Sequence, residues 1–257
     1  MPADPFFKFD AHVHVGYWKT ADFGGHGSGL REVAGVLSGA GITGALVMPT
    51  DSGDNIGTLA SVEEFAGTPA FYFAAWIDPL DQSLPRFLES RGDRISALKF
   101  HPSFSRLPLT DKSFKPFLLH ASNHNLPCIV HCGRWQEVAG WPIALSVAEA
   151  YPTIKFLLAH MGGDSPALVA GATAAIRDRS LANVYLGTES IREYWVVARA
   201  LDVLGCDRLV FGSDHNLNHP GSFLAVIDAL GLTKDERNSI LGDNARRILA
   251  PEAGLNA

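Results

Sequence analysis

The chain has 257 residues, 47% of them hydrophobic and 19% charged, with a formal net charge of −6. This balance supports a large buried core and argues against disorder, and the absence of a basic stripe argues against nucleic-acid binding. Apolar runs fall short of the ~18 residues that mark a transmembrane helix, so no membrane partner is expected. The length suits one α/β barrel domain over residues 1–257.

The cysteines and the N-terminus indicate a reducing compartment. Cys128, Cys132 and Cys206 are too few, and odd in number, for a disulfide framework. The first residues contain no apolar stretch of the kind found in secretory signals, so we predict a cytoplasmic protein. The expected partner is a small-molecule substrate, and the pattern leaves a homo-oligomer open.

Short apolar runs recur along the chain, and a longer segment with helical periodicity follows each of them. Runs of this length are typical of strands buried on both faces of a parallel sheet. The predicted strands are residues 6–14, 45–49, 70–76, 95–101, 127–132, 154–160, 183–187 and 208–214. The predicted helices are residues 29–40, 55–66, 80–91, 112–124, 136–150, 164–180, 190–204 and 234–249, with start signals at Asp111 and Thr233.

Strict alternation of strand and helix predicts βαβ units, and eight of them favour a closed (β/α)8 TIM barrel. An open doubly wound sheet is the alternative, but no GxGxxG fingerprint follows the first strand. The longest irregular stretch, residues 15–28, is rich in glycine and aromatic residues. It is predicted to be a lid or a pocket wall, with a plain surface loop as the equal alternative.

Polar side chains mark the carboxyl ends of five predicted strands. These ends meet at one face of a barrel, where barrel active sites lie. A His-x-His pair alone is a weak signal, and the conjunction of strand ends carries the prediction. The residues concerned are His12, His14, His101, His131, His160 and Asp214.

Imidazoles and a carboxylate form a donor set that suits one divalent metal, Zn²⁺ first, with Mn, Fe, Co or Ni able to use the same ligands. We predict His12, His14, His131 and Asp214 as ligands, with room left for a water. A hydrogen-bonded core residue is the alternative for each of them. Asp214, buried without a cation beside it, would be costly, which favours the metal site.

His160 could complete the metal shell, but we favour a role as general acid/base or oxyanion stabiliser beside it. Lys99 and His101 share parity on the fourth strand and are predicted to bind substrate. Lys99 could hold a substrate carboxylate, pair with an acid such as Asp10, or carry a carboxylated ammonium that bridges two metals, which is the minority interpretation.

Arg134 and Trp135 directly follow the fifth strand and are predicted to bind a substrate that carries a carboxylate and a planar group. A surface ion pair is an equal alternative for Arg134. Glu189 and Ser190 follow the seventh strand and are weaker candidates of the same kind.

With these residues in place, the chain resembles the amidohydrolase superfamily, and within it the amidohydrolase-2 branch that includes aminocarboxymuconate semialdehyde decarboxylase. The resemblance rests on DAHVH, LKFHP, IVHCG, LAHMGG, VFGSD and ILGDNARRIL, in order over the whole chain. It implies a distorted (β/α)8 barrel with one zinc on His12, His14, His131 and Asp214, and His160 as acid/base. The compact length and the pair His215-Asn216 depart from the usual pattern, which leaves the substrate unassigned.

Three functions are compatible with this sequence. The leading hypothesis is a hydrolase in which a metal-activated water attacks an amide, lactone or ester, with Asp214 and His160 as catalytic residues. The alternative is a zinc-dependent, non-oxidative decarboxylase of an aromatic or muconate-like acid. The third is a non-catalytic metal- or ligand-binding barrel, which the presence of His160 argues against.

Overall fold

The structure is a computed structural model that describes residues 7–133 and 135–249. Eight parallel strands neighbour one another in chain order, and a short antiparallel strand pairs with the end of the first. The strands are β1 (Phe9–Tyr17), β2 (Gly27–Ser28), β3 (Gly44–Pro49), β4 (Ala70–Ile77), β5 (Ala97–Phe100), β6 (Cys128–Val130), β7 (Phe156–Leu158), β8 (Val184–Gly187) and β9 (Leu209–Val210). The predicted (β/α)8 barrel is confirmed; β2 is an addition that the sequence pattern did not predict.

The barrel closes where the chain after β9 meets β1. The backbone N–H of Ala11 donates to the carbonyl of Phe211 at 3.0 Å, and that of Asp214 donates to the carbonyl of His12 at 2.9 Å. Val13 and His215 form a parallel bridge one step further along. Closure therefore places the predicted ligand Asp214 beside the predicted ligand His12, although some 200 residues separate them in sequence.

Helices cover the outside of the barrel. They are α1 (Leu30–Gly39), α2 (Asn55–Glu64), α3 (Leu84–Arg91), α4 (Pro102–Ser105), α5 (Lys115–Asn123), α6 (Gln136–Ala139), α7 (Trp141–Ala150), α8 (Pro166–Asp178), α9 (Tyr194–Leu204), α10 (Pro220–Asp228), α11 (Lys234–Asn238) and α12 (Asn244–Ile248). In the described part of the chain, no helix combines the length and the apolarity needed to cross a bilayer.

The helices differ from the sequence prediction at two places and agree with it at a third. Helix α10 was missed; it begins with Pro220, and the ring of His219 accepts a hydrogen bond from the N–H of Gly221 at 3.1 Å. The single helix predicted over 136–150 is interrupted at Gly140, whose backbone is extended. The predicted start at Thr233 is confirmed, because Thr233 and Glu236 form a reciprocal capping box.

Two apolar clusters lie on the two sides of the barrel wall. One lies between strands and helices and includes Val13 and Val15, and the other fills the ring interior and includes Phe9 and Ala11. The change of side within β1 coincides with a register shift between Asp10 and Val13 in its pairing with β3. Irregularities of this kind are frequent next to active sites, where they redirect a side chain. Here the shift allows His12 and His14 to follow the interior residues at the mouth of the barrel.

Candidate active site

Three of the predicted ligands form a tight group at the carboxyl ends of the strands. His12, His14 and Asp214 are all buried, and one donor atom of each lies within 4.8 Å of the others. The Nε2 atoms of the two rings are 3.3 Å apart. Asp214 Oδ1 is 3.4 Å from His14 Nε2 and 3.7 Å from His12 Nε2. The donor set can hold a metal ion.

The Nδ1 atoms of both rings are turned away from this group. His14 Nδ1 is 2.8 Å from the carbonyl oxygen of Pro49, which can only accept, so Nδ1 carries the hydrogen. His12 Nδ1 is 2.7 Å from Glu189 Oε1. Its Nε2 is 3.0 Å from Lys99 Nζ, which as an ammonium can only donate. In both rings Nδ1 contacts an oxygen acceptor and Nε2 faces Asp214, the orientation in which Nε2 of a neutral imidazole can bind a metal.

Asp214 is held by the loops around it. Its backbone is in the left-handed region, with φ 61°, which turns the side chain back over the end of β1. Ser190 donates its hydroxyl to Asp214 Oδ2 at 2.9 Å, and Asn218 donates to Ser190 Oγ at 3.1 Å. One carboxylate oxygen is thus fixed by hydrogen bonding, and the other faces the two histidines.

His131 and His160 lie beside the group of three rather than within it. His160 Nε2 is 3.1 Å from His131 Nδ1, and the ring centroids of His160 and His12 are 6.0 Å apart. His160 itself has a left-handed backbone, φ 55°, in the turn that follows β7. The structure thus brings both predicted residues to the same mouth, with His160 between His131 and the end of β8.

Lys99 is a fully buried cation in contact with the site. Burial lowers its pKa to about 8, while the carboxylates of Asp214 and Glu189 act in the opposite direction. Beneath the histidines, Asp10 is also fully buried and accepts from the backbone N–H groups of His12 and Ser213 at 3.2 and 2.9 Å. Burial raises the pKa of Asp10 to about 7.

Buried carboxyl groups outnumber buried basic side chains at this site. The carboxyl groups belong to Asp10, Glu189 and Asp214, and Lys99 is the basic side chain that faces them among the described residues. A buried group with excess negative charge is costly, and a divalent cation would offset it.

An aromatic wall stands on one side of the mouth. His101 is sandwiched between His131, with ring centroids 3.8 Å apart and planes at 13°, and Trp76, at 5.3 Å and 22°. Phe104 packs on His101 at 4.3 Å. The ring of His101 also accepts from the N–H of Phe104 at 3.3 Å, so it caps α4. The predicted substrate-binding residue His101 therefore has a clear packing role at the site.

The irregular stretch over 15–28 lies against the site and is held there. Trp18 is buried, packs on His14 with ring centroids 4.8 Å apart, and donates from Nε1 to Asn216 Oδ1 at 2.8 Å. His26 Nε2 contacts the Asn216 carbonyl at 2.7 Å. These contacts hold the stretch against the candidate site.

The remaining predicted residues are less informative. Trp135 is 42% exposed and directly precedes α6. Arg134 lies outside the described residues.

The strongest addition to the site is Glu189, which the sequence indicated only as a weak substrate contact. Its side chain is fully buried against His12. Its one sequence signal is an acidic residue at the carboxyl end of a buried strand.

The family comparison covers nearly the whole chain. A family model described as amidohydrolase (Amidohydro_2) matches residues 9–250. No curated protein matches the chain significantly in sequence.

Solved structures of several enzymes share the fold. An amidohydrolase from Burkholderia multivorans, with bound HEPES, has a TM-score of 0.76 at 14% identity and covers 95% of this chain and 99% of its own. Another crystal form of that protein contains zinc, at TM-score 0.75 and 15% identity, with the same coverage.

Two further structures are named for different reactions. A putative 2-pyrone-4,6-dicarboxylic acid hydrolase from Pseudomonas putida has a TM-score of 0.73 at 16% identity, covering 95% of this chain and 97% of its own. The 5-carboxyvanillate decarboxylase of Novosphingobium aromaticivorans, complexed with manganese and a nitrobenzoic acid, has a TM-score of 0.74 at 12% identity. The match covers 95% of this chain and 96% of that one. At such identities the likeness shows the shared fold.

Proposed function

Because the chain belongs to the amidohydrolase family, whose members are enzymes, we propose that it is a metal-dependent hydrolase of a small-molecule amide, lactone or ester. The proposed ligands are His12, His14 and Asp214, with His131 as the fourth. The proposed metal is a single Zn²⁺; Mn²⁺, Fe²⁺, Co²⁺ and Ni²⁺ suit the same donors.

The observation that carries the proposal is the convergence of three atoms that can bind a metal. His12 Nε2 and His14 Nε2 are 3.3 Å apart, and each faces Asp214 Oδ1. Three acceptors at such distances repel one another unless a cation or a shared proton lies between them. The excess of buried carboxyl groups over buried basic side chains supports a divalent cation over a proton. His131 is one ring away, bonded to His160, which supports its proposal as the fourth ligand.

The side chains around the proposed ligands supply the rest of the chemistry. A bound divalent metal contributes Lewis acidity, which lowers the pKa of a water towards ~7. Asp214 is the proposed proton acceptor, and Ser190 holds its carboxylate in place by donating to Oδ2 at 2.9 Å. Asp214 is proposed to pass this proton to the leaving group, and His160 is proposed to stabilise the developing oxyanion.

The substrate is proposed to lie between the histidines and the aromatic wall. Trp76 and Phe104, together with Trp18, provide flat apolar surfaces that suit a planar small molecule. Lys99 and His101 are proposed contacts deep in the pocket. Trp135 and Arg134 are further proposed substrate contacts, since a guanidinium would bind a carboxylate.

Decarboxylation of an aromatic or muconate-like acid is the second candidate. The flat stack of Trp76, His101 and His131 favours it, because such a wall orients a ring, and Lys99 is a buried cation able to hold a carboxylate. The Novosphingobium enzyme, similar in fold, is named for this reaction.

One assay separates the two candidates. Zinc- and manganese-loaded protein is incubated with lactones, amides, esters and aromatic acids, while acid release and CO2 release are followed in parallel. Hydrolysis of a lactone or ester at neutral pH releases acid without CO2, and decarboxylation releases CO2. Asp214→Asn serves as the control, since it keeps the shape of the side chain and removes the proposed base. Turnover that is equal in Asp214→Asn and wild type would exclude the proposed site.

A further inference from the structure

We propose that Glu189 is the positioning residue of this site: it fixes the His12 ring with its Nε2 lone pair towards the proposed metal, and so sets the metal affinity. The inference rests on the proposed metal site and adds a residue that does not itself ligate the ion. Glu189 acts through His12, and it also forms hydrogen bonds with the turn that contains His160.

The contacts of Glu189 single it out. Its side chain is 1% exposed, and Oε1 lies 2.7 Å from His12 Nδ1. The same oxygen is 3.3 Å from the backbone N–H of His160, and the Glu189 carbonyl is 3.3 Å from His160 Nδ1. Glu189, two positions after the end of β8, therefore contacts the His12 ring in β1 and both the backbone and the ring of His160 after β7. A carboxylate behind a metal-binding imidazole makes that ring more basic and fixes its tautomer.

Two glycines leave the space that this carboxylate occupies. A Cβ at Gly187 would lie 2.3 Å from Glu189 Oε2, and one at Gly212 would lie 2.7 Å from the same atom. Both distances are far below van der Waals contact, so neither position tolerates a side chain while Glu189 remains where it is. Glycine at both positions, at the end of β8 and just after β9, therefore leaves room for the Glu189 carboxylate.

The cost of this arrangement also points to a function. Oε2 is buried and has no hydrogen-bond partner among the described residues. A residue that served packing alone would avoid this penalty as an apolar side chain. The contact that offsets it is the one between Glu189 and His12.

The test uses Glu189→Met, which keeps an unbranched side chain of similar length, with Glu193→Met as the matched control. Glu193 lies four residues away and is exposed. Zinc affinity is measured by competition with a chelator. We expect Glu189→Met to bind zinc about 10- to 100-fold more weakly, the range found for such outer partners. The Glu189→Gln variant, which still offers an accepting oxygen, should lose less, and the control should bind as wild type.

A second variant tests the same contact without replacing Glu189, so that the result does not depend on whether Glu189→Met folds. Gly187→Ala should push the carboxylate off His12 and weaken zinc binding in the same direction. If both Glu189→Met and Gly187→Ala fold and bind zinc with wild-type affinity, the positioning role is wrong.

A second readout needs no metal. In metal-free wild type, the His12 Nδ1–H should give a slowly exchanging ¹H–¹⁵N signal, because a buried carboxylate accepts it; the signal is assigned by its absence in His12→Asn. It should disappear in Glu189→Met and persist in Glu193→Met. Persistence in Glu189→Met overturns the inference. If the signal disappears in Glu189→Met as expected but wild type fails to bind zinc, the proposed metal-dependent function is wrong, and the contact between Glu189 and His12 still stands.

Discussion

Replacement of Lys99 by methionine distinguishes two roles for this buried cation. Lys99 Nζ is 3.0 Å from His12 Nε2, the atom proposed to bind the metal. Since zinc lies about 2 Å from an imidazole nitrogen, the ammonium and the ion would be at most about 5 Å apart. At an effective dielectric constant of about 20, a divalent ion and a unit charge at that distance repel by about 7 kcal/mol.

Side-chain movement and loss of the lysine proton relieve most of that repulsion. If only about a fifth remains, it still corresponds to a tenfold change in affinity, at 1.4 kcal/mol per factor of ten. We therefore expect Lys99→Met to bind zinc at least about tenfold more tightly than wild type. Lys115→Met, at an exposed position on α5, is the control and should leave affinity unchanged.

Chelator competition on the three proteins provides the measurement, with metal content determined in parallel. Weaker zinc binding by Lys99→Met would refute the electrostatic reasoning. If the variant also dropped from two ions to one, Lys99 would be a ligand of a binuclear site, which is the minority interpretation of the sequence.

Three further predictions address the acid/base residue, the fold and the thiols. His160→Ala should retain its metal, since His160 lies outside the tight group of ligands, and lose turnover about 10²- to 10⁴-fold on any substrate found; full activity would exclude its role. Thr233→Ala removes the capping box of α11 and should cost about 1 kcal/mol, seen as a fall of roughly 2–4 °C in Tm, whereas an unchanged Tm would show that this helix end does not limit stability. Cys128 and Cys132 are buried, and burial raises the pKa of the Cys132 thiol to about 12, so a thiol reagent should label Cys206 alone in the native protein; rapid labelling of all three would contradict the packing.

The sequence was sufficient for the architecture because each barrel strand is a short, nearly continuous apolar run. Such runs can be recognised from local composition alone, and counting them along the chain predicts the number of parallel strands. The elements that were missed depend on tertiary contacts. Strand β2 has two residues and exists because Gly27 and Ser28 pair with the end of β1. Helix α10 begins with a His-Pro pair, a weak start signal compared with the capping box of α11.

The site was predictable as far as strand ends converge. His12, His14 and Asp214 do meet, and the register shift in β1 that turns the two histidines to the mouth leaves no trace in their spacing. The importance of Glu189 was hidden because its partner lies 177 residues away in sequence. The space for its carboxylate comes from Gly187 and Gly212, and only the closed barrel brings those glycines together.

Metal content provides the most direct test of the proposed function. Elemental mass spectrometry is applied to purified wild type and to the His12→Ala, His14→Ala double variant after loading with zinc and removal of free ions. The arrangement of Nε2 atoms around Asp214 predicts about one ion per chain in wild type and none in the double variant. A folded wild type that retains no ion would contradict the proposed metal centre, and an equal content in both proteins would place the metal elsewhere.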